Sequence, residues 1–134
     1  MSLVFDSSAL IAYLEDEPGA ELVDELLDGN LGACFVHAIN MCEVYYGTRR
    51  EYGEQPAQEA INMLQNAGLS VREDMDNNIW QGAGQIKADY RRISLADCLC
   101  VALANRDGSE VITADRHEFE PLAQVGLCKV RFIR

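Results

Sequence analysis

Short apolar runs alternate along the chain with longer stretches in which apolar residues recur every three or four positions. The segments LVFD (3–6), GACFV (32–36), LSVR (69–72), EVIT (110–113) and CKVRFI (128–133) have the length and side-chain content of buried strands. Between the first two, SSALIAYLED reads as a helix capped by Ser7 or Ser8. GAELVDELLDG reads as another, restarted by Pro18 and Gly19, with Leu22, Val23, Leu26 and Leu27 on one face. Further helices are predicted over about 38–52, 56–67 and 75–91, the last weakened by Gly82 and Gly84. Ser94 starts one that carries LADCLCVALANR, and HEFEPLA forms a short one limited by Pro121. Strands separated by helices imply parallel pairing through right-handed crossovers, and so an α/β protein built as a three-layer α/β/α sandwich. Ligands of such sheets bind beyond the carboxyl ends of the strands, where strand order reverses.

The 134 residues suit a single domain spanning 1–134. With 49% hydrophobic and 25% charged residues, the composition excludes a disordered or low-complexity chain. No run of about 18 apolar residues is present, so no membrane span is expected. The N-terminus lacks a basic segment and its apolar stretch is interrupted by Asp6, so no signal peptide is expected either. The odd number of cysteines and the absence of a C-x-x-C suggest reduced, mostly buried thiols in a cytoplasmic protein. With only His37 and His117, a histidine-rich metal site is excluded.

The charge is lopsided, with 22 acids, 11 bases and a net charge of −11. Residues 1–67 carry twelve acids against Arg49 and Arg50, whereas residues 68–134 carry ten acids against nine bases. A chain this acidic does not bind nucleic acid through a broad basic face. A phosphate ligand needs a bridging cation or a local arginine cluster.

Four acids are predicted at one sheet edge. Asp6 ends the first strand, Asp115 follows the fourth, and Glu43 and Asp97 lie in the first turns of helices that follow strands or turns. Each also has a local explanation. Ser94-x-x-Asp97 and Asn40-x-x-Glu43 resemble capping boxes, Asp6 suits a helix cap and Asp115 a turn. Asp6 and Asp97, however, sit in strongly apolar contexts with no adjacent base, where an acid needs a partner. Two carboxylates about 5 Å apart repel by roughly 3 kcal/mol at an effective dielectric of about 20. Several ionise together only around a cation, and an all-oxygen donor set suits Mg²⁺ or Mn²⁺.

The segments VFDSSALIAYLEDEPGAE, INMCEVYYG, ISLADCLCVALA and VITADRHEFEPL, in that order, resemble PIN-domain ribonucleases, and among them the VapC-type toxins of toxin–antitoxin modules. The resemblance runs over essentially the whole chain. It implies a five-stranded parallel sheet of order 3-2-1-4-5, with Asp6 and Asp115 facing each other at the reversal. It also implies that Asp6, Glu43, Asp97 and Asp115 are the catalytic and metal-binding quartet, with Asp6 and Asp97 as the principal ligands of one or two Mg²⁺ or Mn²⁺ ions. Ser8 and Thr113 are implied as supporting hydroxyls. The implied activity is endonucleolytic hydrolysis of RNA leaving 5′-phosphate and 3′-hydroxyl ends, by a protein that pairs with a cognate antitoxin and usually forms a homodimer. His37 departs from the Ser or Thr of many relatives and leaves the start of the helix bearing Glu43 open.

Candidate RNA-phosphate contacts are Arg116, Arg49 and Arg50, with Lys87, Arg91 and Arg92 behind them; Arg116, beside Asp115, is the best placed in sequence. Tyr45, Tyr46, Trp80 and Tyr90 fit packing better than base stacking, and Leu10, Ile11, Tyr13 and Leu14 form an apolar stretch suited to a partner segment. Two other readings compete. Phosphotransfer through an aspartyl phosphate on Asp6 wants, in the haloacid dehalogenase-like enzymes, a second Asp where Ser8 stands. A catalytically silent antitoxin-binding module does not need an intact quartet.

Overall fold

The computed structural model describes residues 1–134. Five strands, β1 (Leu3–Phe5), β2 (Cys34–His37), β3 (Leu69–Arg72), β4 (Glu110–Thr113) and β5 (Lys129–Phe132), form one parallel sheet of order β3-β2-β1-β4-β5. Chain reversal in strand order falls between β1 and β4, where Val4 is opposite Val111 and Phe5 opposite Ile112. The central strand is buried on both sides, which is why its sequence is continuously apolar instead of alternating. The edge strands β3 and β5 carry the exposed positions.

Alternation of side chains along β1 divides the core. Leu3 and Phe5 join one cluster with α1 (Ser7–Leu14), α2 (Ala20–Gly29), α3 (Ala38–Tyr52) and α4 (Glu54–Asn66). Val4 joins the other with α5 (Asn77–Asp89), α6 (Leu95–Asp107) and α7 (Arg116–Gln124). Each face of the sheet is therefore covered by helices, as the sequence pattern predicts. Helix α6 is buried continuously from Ala96 to Ala104, so its apolar residues surround it instead of forming a stripe. That buries Asp97 with them.

Several predicted boundaries move. Asp6, not Ser7 or Ser8, caps α1. His37 resolves the start of α3, with Nδ1 accepting from Ile39 N at 3.1 Å while Nε2 contacts the Asp74 carbonyl at 2.9 Å. Helix α7 runs three residues past Pro121 to Gln124. Gly19, in the left-handed region at φ 100°, packs so tightly on Ile133 that a Cβ there would lie 2.7 Å from its side chain. Four cysteines are buried and all five are free, with Cys42 exposed. No helix is long and apolar enough to cross a membrane.

Candidate metal centre

Parallel strands deliver their carboxyl ends to one edge, so residues that follow β1 and β4 meet there. Asp6 is tied in by its own N–H, which donates to the Ile112 carbonyl at 3.0 Å. Its side chain is 1% exposed. Oδ1 accepts from Ala9 N at 3.0 Å, and the Ser8 hydroxyl lies 2.8 and 2.9 Å from the two oxygens. Oδ2 accepts from Thr113 Oγ1 at 2.6 Å. The hydroxyls are themselves held: Ala114 N donates to Ser8 Oγ at 2.9 Å and Asp115 N to Thr113 Oγ1 at 2.9 Å. Ser8 and Thr113 thus link the ends of β1 and β4 through Asp6.

Asp115 caps α7, with Oδ1 accepting from Glu118 N at 3.0 Å. Ser94 caps α6, accepting from Asp97 N at 3.1 Å. The return half of that capping box does not come from Asp97: Ser94 N donates instead to Glu118 Oε1 at 3.3 Å. Asp97 is left free to face other acids. The alternative for Glu43 fails too, because His37 caps α3 and Glu43 Oε1 accepts from Ser7 Oγ at 2.9 Å.

Carboxylate oxygens of Asp97, Asp115 and Glu118 lie within 4.8 Å of one another. Glu118 is the residue that sequence reading missed. Its only local signal, Asp115-x-x-Glu118, is that of a capping pair. Asp6 and Glu43 flank this trio, their charges acting on Asp97. The ion pairs of the protein all lie elsewhere, and none involves these five acids. Burial pushes the Asp6 carboxyl up to about 6, against the opposing hydrogen bonds from Thr113, Ala9 and Ser8. Asp97 is raised much further by burial, by the Glu118 carboxyl and by the charges of Asp6, Glu118 and Glu43.

The donor set fits a hard divalent cation: three converging carboxylates, no histidine or thiol, and a buried Glu118 Oε2 with no hydrogen-bond partner. Crowding and burial together favour the protonated form of Asp97 when no cation is bound. A second polar group is half satisfied. Asn40, fully buried on α3, donates to the Ala96 carbonyl at 3.1 Å and leaves Oδ1 unpaired, which ties the first turns of α3 and α6 together.

Of the arginines favoured in sequence, Arg116 is already engaged. Its guanidinium lies 4.4 Å over the Phe132 ring and donates to the Arg134 carbonyl at 2.9 Å. Arg49 and Arg50 close α3, with Arg50 5.3 Å over Tyr46.

Replacing Thr113 by Val keeps the shape but removes the hydroxyl between Asp6 Oδ2 and Asp115 N. Unfolding free energy in urea is expected to fall by about 2 kcal/mol, because both buried groups lose a partner. An unchanged midpoint would mean that water replaces the hydroxyl at no cost.

A parallel sheet ordered 3-2-1-4-5 with carboxylates gathered at its carboxyl edge is the framework of a PIN-like fold. The chain belongs to the PIN domain family, whose model matches residues 3–124. Its fold matches those of solved VapC toxin structures. A chain of the DNA-bound VapBC from Salmonella typhimurium is 20% identical with a TM-score of 0.80, covering 100% of this chain and 99% of that one. VapBC-1 from nontypeable Haemophilus influenzae is 19% identical with a TM-score of 0.74, covering 99% and 98%. VapC20 from Mycobacterium tuberculosis, a sarcin-ricin loop cleaving toxin, is 16% identical with a TM-score of 0.73, covering 97% and 99%. No curated protein matches the sequence.

Proposed function

We propose that residues 1–134 form one PIN-like domain that hydrolyses RNA phosphodiester bonds with the help of Mg²⁺ or Mn²⁺, as the toxin of a type II toxin–antitoxin module. The observation that carries this reading is the convergence of Asp97, Asp115 and Glu118 with no base to neutralise them. PIN domains are generally nucleases and bind divalent metals, and the structural relatives come from toxin–antitoxin complexes.

Asp97, Asp115 and Glu118 would hold the cation, with Asp6 and Glu43 completing the acidic wall. When bound, a divalent ion supplies Lewis acidity toward a phosphoryl oxygen and lowers the pKa of water. The chain's own residues do the rest. Ser8 and Thr113 hold the Asp6 carboxylate in one orientation, and Ser7 does so for Glu43. Ser94 N fixes Glu118 Oε1, which leaves Oε2 as the oxygen that would face the cation. A bound cation would favour the ionised form of Asp97. A cognate antitoxin and a second copy of this chain are the proposed protein partners, and the proposed site of action is the cytoplasm.

Incubation of the protein with single-stranded RNA and Mn²⁺ is expected to give cleavage that EDTA abolishes, leaving 5′-phosphate ends. Glu118→Gln is expected to lower the rate by about a hundredfold while keeping the fold, since the amide preserves the contact with Ser94 N but not the charge. Cleavage that persists in EDTA would place the chemistry outside the acidic centre.

A further inference from the structure

The turn between α5 and α6 is built around arginines that no carboxylate engages. Lys87 Nζ braces it from below, donating to the Arg91 and Ile93 carbonyls at 2.8 and 2.7 Å. Tyr90 N bonds the Ile86 carbonyl at 2.8 Å, and Ile93 N the Tyr90 carbonyl at 3.1 Å. Arg92 Nη2 lies 3.2 Å from His117 Nε2 on α7. A guanidinium only donates, so His117 Nε2 is the acceptor in this contact. Five of the nine arginines, namely Arg72, Arg106, Arg116, Arg131 and Arg134, are in ion pairs. Arg91 and Arg92 are not, although acids outnumber bases 22 to 11.

These side chains border an open pocket of about 330 Å³ whose wall includes Tyr90, Arg91, Arg92, His117 and Pro121, with Asp89 as its one carboxylate. The pocket adjoins the acidic centre through the chain at two places. His117 precedes Glu118, and Arg92 stands two residues before Ser94, whose N–H holds Glu118 Oε1. A polyanion drawn toward the acidic centre is repelled by its carboxylates, and unpaired guanidiniums beside them offset that repulsion. The planar fork of a guanidinium matches two phosphate oxygens, and a braced turn loses little freedom on binding.

We propose that Arg91 and Arg92, the latter oriented by His117, form a docking subsite for a backbone phosphodiester of single-stranded RNA flanking the acidic centre. The subsite rests on the ribonuclease reading for the direction in which RNA crosses the sheet edge. It places a phosphate contact on the α5–α6 turn, whereas Arg116 stacks on Phe132 and donates to the Arg134 carbonyl.

The test is a fluorescence-anisotropy titration of a labelled single-stranded RNA of mixed sequence with full-length Asp97→Asn protein in Mg²⁺, over a range of salt concentrations. Adding Arg92→Ala is expected to weaken binding about tenfold and to reduce the slope of log K against log salt by about 0.7, the value for one single-strand phosphate contact. Lys129→Ala, which removes a positive charge at the opposite edge of the sheet, is expected to leave that slope unchanged. Equal slopes for Arg92→Ala and its parent overturn the subsite. So does displacement of the RNA by poly-glutamate that depends on Arg92, which would make the natural occupant a carboxylate-bearing protein. A parallel cleavage assay of the wild type separates the two readings. Metal-dependent cleavage with equal slopes removes the subsite alone, whereas a reduced slope without cleavage supports the subsite and removes the nuclease.

Discussion

Asp97→Asn is expected to make the metal-free protein more stable while abolishing its activity. In the folded, cation-free protein Asp97 keeps a proton that the unfolded chain, near the ordinary value of 3.8, releases at neutral pH. Holding that proton at pH 7 costs up to about 4 kcal/mol, at roughly 1.4 kcal/mol per pH unit. Asparagine is neutral in both states and nearly isosteric, so most of this cost disappears. A gain of about 3 kcal/mol corresponds to a Tm rise of roughly 10 °C for a chain of this length. RNA cleavage in Mn²⁺ should fall by about 10³-fold if Asp97 is a ligand of the proposed cation. Differential scanning fluorimetry in EDTA and a gel-based cleavage assay read the two effects. A clear drop in Tm would instead make Asp97 a structural acid whose charge the fold requires.

Divalent cation is expected to stabilise the protein, and by more as pH rises. Asp6 and Asp97 both have folded values above their unfolded ones. Each therefore binds its proton more tightly in the folded state. The stability this confers is fully present below about pH 4 and is lost as pH rises, for Asp6 through about 6 and for Asp97 further up. The metal-free protein should thus weaken from mildly acidic to alkaline conditions. A cation binds the ionised carboxylates and must displace the protons, so its affinity grows over the same window. Addition of Mn²⁺ should shift Tm little near pH 5 and by roughly 10 °C or more near pH 8. Asp6→Asn should remove the part of the metal-free pH dependence that ends near 6. A melting curve indifferent to Mn²⁺ at every pH would remove the cation site.

Much of the architecture was legible because burial on two faces leaves a plain mark. LVF is a continuous apolar run, EVIT holds Val111 and Ile112 at its centre, and the helices between them show faces of apolar residues at helical spacing. Alternation of strands and helices was enough for a parallel sheet, whereas the order 3-2-1-4-5 came only with the resemblance to PIN domains. Helix starts were less legible, because several residues compete for each cap. Ser8 has the chemistry of a cap, yet its hydroxyl is drawn to Asp6 and to the Ala114 N–H more than a hundred positions away. Asp6 takes the cap that Ser8 leaves.

The candidate site divides along the same line. Asp6 and Asp97 stand out because ionisable groups in apolar segments are costly. Glu118 is silent by comparison, since an acid three residues after Asp115 in an exposed-looking helix has an ordinary capping explanation. Only the approach of α7 to the start of α6 turns it toward Asp97, and only there does its carboxyl accept from Ser94 N. Asn40 is hidden for the same reason, as its partner is a backbone carbonyl 56 residues away. Arg116 shows the converse. Adjacency to Asp115 suggested a phosphate contact, and only the fold reveals that β5 brings Phe132 beneath its guanidinium.

By itself the sequence determined the layers of the protein, its acidic character and the presence of carboxylates that water cannot freely solvate, because these follow from local periodicity and from the cost of burying charge. The tertiary structure decided which oxygens converge, which arginines stay unpaired and which hydroxyls hold Asp6. Those depend on where the ends of β1 and β4 and the starts of α3, α6 and α7 meet in space, and distances across a sheet edge leave no trace in the spacing of residues along the chain.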